Sequence, residues 1–114
     1  MTEPHDAPDI GELVEAVREW LERDVMEATE GRLRFHARVA VNVLAIVERE
    51  LELGPEQAER HRTRLASIGV ADDADLAAAI RRDDLPADLA DVLSVLRAAV
   101  DDKLDVANPR YRDR

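Results

Sequence analysis

The chain has 114 residues, a formal net charge of −10, no cysteine and three aromatic residues. That length fits one domain with a modest core, and the lack of thiols excludes disulfides and Cys-ligated metal sites. The acidic balance argues against nucleic acid, whose binding needs a cationic face, and no apolar run reaches the roughly 20 residues of a membrane span.

Residues 1–8 are polar, carry Pro4 and Pro8, and do not resemble a signal peptide. They are expected to form a flexible tail, and the expected location is cytoplasmic. Helix one is predicted to start at Asp9, an N-cap with Glu12 three residues on, the spacing of a capping box. Ile10, Leu13, Val14, Val17, Trp20, Leu21 and Val25 follow at helical spacing on a stripe about 140° wide. Gly31 supplies a break. Helix two is predicted over residues 32–53, ended by Gly54-Pro55, and is the most apolar element. Leu33, Ala37, Ala40, Leu44, Val47 and Leu51 line one side of it, and Phe35, Val39, Val43, Ile46 and Leu53 the side beside that. Together they cover roughly 200° of the wheel, so this helix is expected to be central.

Helix three is predicted over residues 56–67 and is polar, ending at Ile68-Gly69-Val70. Asp72 or Asp73 caps a short helix four that carries Leu76, Ala77 and Ile80. Helix five is predicted over residues 87–106, with Leu89, Val92, Leu93, Leu96, Val100 and Leu104 inward and Asn108-Pro109 as its stop. The expectation is an all-α protein, a compact helical bundle of three long and two short helices. A single domain would span residues 9–107, with a C-terminal tail over 108–114.

Charge is uneven along this order. Residues 1–30 hold ten acids and two bases, a net −8; residues 31–70 are net +2 and residues 71–114 net −4. Within the basic centre, Arg34, Arg38, Asn42 and Arg49 fall within about 80° of one another on helix two. They read either as a contact surface for an acidic or phosphate-bearing partner or as a solvated face paired to the glutamates of helix one. Asn42 interrupts an apolar run, where an unbonded buried amide would cost about 1–3 kcal/mol, so it is expected to have a definite partner. His36 and Glu50 sit on the apolar side and are candidate buried polar groups; their separation of roughly 21 Å along the axis prevents them from pairing. Asn108, Arg110 and Tyr111 form a second candidate contact, since Arg and Tyr are enriched at interface hot spots.

Apparatus for chemistry is not visible. There is no His-Glu-x-x-His, no nucleophile elbow and no Gly-rich phosphate loop. Asp72, Asp73 and Asp75 lack the Gly and terminal Glu of a calcium loop. No catalytic, metal-binding or cofactor-binding residue is therefore assigned, and no cofactor is expected.

Three stretches carry a resemblance: Leu13-Val14-Glu15-Ala16-Val17; the run from Gly31-Arg32-Leu33-Arg34-Phe35-His36-Ala37-Arg38 through Val39-Ala40-Val41-Asn42-Val43-Leu44 to Val47-Glu48-Arg49-Glu50-Leu51; and Lys103-Leu104 with Ala107-Asn108-Pro109-Arg110-Tyr111. In these the chain resembles a family of small bacterial helical proteins classed as a domain of unknown function. Members of that family are typically encoded beside an aminoglycoside-phosphotransferase-like kinase and an acyl-CoA dehydrogenase-like protein, and the small LvaB subunit of levulinic-acid catabolism looks like a relative. There the large partner phosphorylates a 4-hydroxyacyl-CoA and needs the small subunit. The resemblance implies a non-catalytic accessory subunit of such a kinase. The alternative expectation is a self-contained homodimer with helix two as its seam.

Overall fold

The computed structural model describes residues 4–113; the ends of both expected tails, residues 1–3 and 114, lie outside the described residues. The described chain is all-α. Its helices are α1 (Ile10–Trp20), α2 (Met26–Ala28), α3 (Gly31–Ser67), α4 (Asp73–Arg81) and α5 (Leu89–Ala107), followed by a 3-10 turn over Pro109–Asp113.

Helix α1 opens on the capping box that the sequence encodes. The Asp9 carboxylate accepts from the Glu12 N–H at 2.9 Å, and the Glu12 carboxylate accepts from the Asp9 N–H at 3.2 Å. Two of the otherwise unsatisfied N-terminal donors are closed in this way. A π-helical turn, Leu21–Val25, joins α1 to α2, with the Met26 N–H bonded back five residues to the Leu21 carbonyl. No glycine or proline marks that turn. Thr29 is extended and Gly31 has φ +63°, and these two residues let α3 begin in a new direction.

One boundary differs from the sequence expectation. Gly54-Pro55 does not end a helix, and the segments expected as separate helices two and three are one 37-residue helix. Proline's fixed φ near −65° is itself a helical value. Pro55 removes its own bond to the carbonyl four residues back and crowds that carbonyl with its ring, yet the helix continues through it.

The chain divides into two compact units, Met1–Glu52 and Leu53–Arg114, and the division falls beside that proline. In the described part of the first unit, α1 doubles back along the first half of α3. Val14, Arg18, Leu21 and Val25 are half-buried on the inner side of this hairpin, and Ala37 and Val41 are its buried residues on α3. Arg18 Nε donates to the Glu48 carboxylate across the hairpin.

The second unit holds the larger core. Leu65 and Val92, each 2 % exposed, pack with Ile68, Val70, Leu76 and Val95. Helix α3 ends in a Schellman motif. The Val70 N–H bonds the Leu65 carbonyl, the Gly69 N–H bonds the Ala66 carbonyl, and Gly69 takes φ +82°. The motif returns Val70 to the core beside Leu65. Asp72 caps α4 by accepting from the Asp75 N–H at 2.8 Å. Helix α4 closes with the same pair of bonds, Asp84 to Ala79 and Asp83 to Ile80, but here Asp83 rather than glycine carries the positive φ of 54°. Asn108-Pro109 ends α5 as expected, and the Asn108 N–H bonds the Leu104 carbonyl at 2.8 Å.

Candidate partner-binding surfaces

The basic stripe of α3 is on the surface. Arg34, Arg38 and Asn42 are exposed, while Arg49 is half-buried and engaged. Neither Arg34 nor Arg38 makes an ion pair or hydrogen bond among the described residues, so pairing with the glutamates of α1 does not account for them. Two glutamates of this region pair locally instead, Glu22 with Arg18 at 3.8 Å and Glu19 with Arg23 at 3.6 Å. Asn42 faces solvent, which corrects the expectation of a buried amide with a fixed partner.

His36 and Glu50 are likewise exposed rather than buried, and no polar residue is buried among the described residues. The physical reason is the same for all three. Helix α3 presents two apolar sides, and the hairpin covers only the one that bears Ala37, Val41 and Leu44. His36 lies against the edge of Phe35, ring centroids 5.7 Å apart at 73°, and its Nε2 is 3.5 Å from Arg32 Nε.

The uncovered surface is apolar. Trp20 is 56 % exposed, Val43 51 % and Val17 49 %, and Ile10, Leu13, Leu33, Phe35 and Val39 are open as well. The stripe of α1 reads in the sequence as one apolar face, but the hairpin covers only the side of it that bears Val14, Leu21 and Val25, and Ile10, Leu13, Val17 and Trp20 stay open.

The Arg18–Glu48 pair was also unforeseen, because residues 30 apart in sequence carry no local spacing signal. The hydrogen bond to Glu48, foremost, and the charges of Glu48, Glu22 and Glu19 hold the Arg18 guanidinium above its ordinary pKa, against the opposing effect of burial.

In the second unit the polar side chains bind elements together. Asp102 on α5 receives Arg64 at 3.0 Å and Arg60 at 3.6 Å from α3, and Gln57 donates to the Asp102 carbonyl at 3.0 Å. His61 Nε2 lies 2.8 Å from the Asp73 carboxylate at the start of α4, and its Nδ1 is buried without a partner. A shallow hollow of about 400 Å³ between α3 and α5 is lined by Arg64, Ser67, Asp91 and Ser94. Two of these groups are engaged elsewhere, Arg64 with Asp102 and the Ser67 hydroxyl with the Arg64 carbonyl at 2.6 Å. Asn108, Arg110 and Tyr111 are exposed at the C-terminal turn, where the Tyr111 N–H bonds the Asn108 carbonyl.

Among the described residues no group of three or more His, Asp or Glu side chains is placed to hold a metal ion, and no helix is long and apolar enough to cross a membrane. No curated protein and no solved structure matches the chain. A family of unknown function, DUF6285, matches residues 27–111, which takes in all of α3, α4 and α5 and the exposed Arg34, Arg38 and Tyr111. That match covers well over half of the sequence, and the chain belongs to the DUF6285 family.

Proposed function

We propose that this chain is a non-catalytic accessory subunit of an aminoglycoside-phosphotransferase-like kinase that acts on a hydroxyacyl-CoA in acid catabolism. The kinase and its substrate come from the family resemblance drawn above from the α3 and C-terminal motifs. The observation that supports the reading on this chain is the pair Arg34 and Arg38. They are exposed, on one stripe with Asn42, and without an internal partner among the described residues. Guanidinium groups in that state can form forked, charge-assisted bonds with carboxylate or phosphate on another molecule. Asn108, Arg110 and Tyr111 offer a second anchor of the residue types enriched at interface hot spots.

In this reading the small chain stabilises a kinase conformation or completes its acyl-CoA pocket, and the chemistry belongs to the partner. Co-expression with the kinase encoded beside it is the test. The expected result is co-purification and a kinase rate that rises when this chain is added. If the two proteins neither co-purify nor alter each other's activity, the reading fails.

A further inference from the structure

We infer that the open apolar face of the first unit binds a second copy of this chain, the two hairpins stacking as a four-helix bundle with α1 of each copy over α3 of the other. The inference stands apart from the kinase reading, because it uses a different surface.

Wheel geometry places the open side chains together. Both helices are right-handed, advance 100° per residue and run antiparallel with their inner sides facing. Under those conditions Leu13, Val17 and Trp20 of α1 and Leu33, Val39 and Val43 of α3 fall on one side of the hairpin. Arg34 and Arg38 fall on the other. A two-helix layer with only Ala37 and Val41 buried has no closed core of its own. The symmetric way to close it is a second such layer.

Area and charge select the occupant. At on the order of 200 Å² for a fully exposed large side chain, these half-exposed residues offer about 600 Å². Each partner in a standard interface contributes roughly 800 Å². Charge fits a self-complementary match. Asp24, in the π turn that follows α1, and Arg32, at the start of α3, both lie at the turn end of the hairpin and both are exposed. With the two turns at the same end, α1 over α3 sets Asp24 of one copy beside Arg32 of the other. The alternative of α1 over α1 puts the two turns at opposite ends and leaves Asp24 and Arg32 without that match.

Sedimentation equilibrium of the full chain is the test. The expected result is a dimer at about 100 µM, a concentration well within reach of an interface of this size. Val17→Glu with Val43→Glu is expected to weaken it at least 100-fold while the far-UV circular dichroism stays unchanged, since both side chains are exposed in the single copy. Asp24→Arg and Arg32→Asp are each expected to weaken it several-fold, and the double swap to restore it. A wild-type monomer at that concentration overturns the inference, as does a dimer that survives the two glutamates or a swap that fails to restore association.

Discussion

At the scale of the residue, the capping groups make the most direct predictions. Asp9 accepts one of the N-terminal donors of α1 and anchors the reciprocal bond from Glu12, so Asp9→Ala should cost about 1 kcal/mol in urea unfolding. Asp83 is the converse case. It ends α4 at φ 54°, a conformation that strains a residue with a Cβ, and its side chain makes no hydrogen bond or ion pair among the described residues. Asp83→Gly should therefore raise stability by about 1 kcal/mol, read as a higher urea midpoint with an unchanged slope. Arg18 gives a pH statement. Its pKa is raised by Glu48, so its contribution is complete below the ordinary arginine value and is lost only as the pH rises beyond that. The guanidinium side of the pair should then add no pH dependence to stability between about pH 6 and 9.

At the scale of the element, α3 is the informative case. Pro55 costs this helix one backbone bond, to the Leu51 carbonyl. Pro55→Ala should restore it and stabilise the protein by about 1–2 kcal/mol, the helical gain of about 3 being partly offset by the freer unfolded chain. Circular dichroism and urea unfolding read both parts of that prediction. Leu65, near the other end of α3, lies in the core of the second unit at 2 % exposure. Leu65→Ala should cost about 2–5 kcal/mol, the range for a cavity among packed neighbours, and unfolding by urea with and without the substitution measures it. The starts of α1 and α4 and the ends of α3 and α5 were legible because caps, glycine and proline act through bonds within four or five residues. The π turn at Leu21–Val25 was not, because its sequence has no local breaker. The continuity through Pro55 was not, because the lost bond and the ring's clash with the carbonyl four residues back argue for a stop, while proline's φ is still allowed in a helix.

At the scale of the whole molecule, the net charge of −10 separates into two acidic flanks, residues 1–30 at −8 and residues 71–114 at −4, around a centre of +2 that includes the basic start of α3. The two open surfaces of the first unit divide the same way, one apolar and one bearing Arg34 and Arg38. If the kinase reading holds, Arg34→Glu with Arg38→Glu should reduce co-purification with the kinase by at least ten-fold, on the order of two charge-assisted contacts. The same variant should leave self-association unchanged, because both residues lie away from the apolar face. Measuring capture by the kinase and sedimentation side by side separates a partner surface from a dimer seam.

The sequence by itself determined the all-α class, the caps and most helix ends, because those depend on hydrogen bonds and φ restrictions between near neighbours. It also determined that α3 begins with two adjoining apolar sides. Only the tertiary structure decided which side is covered. Burial depends on residues distant in sequence, as with Arg18 and Glu48, and periodicity shows that a stripe is apolar without showing what lies against it. For that reason His36 and Glu50 read as buried in the sequence and stand exposed in the fold.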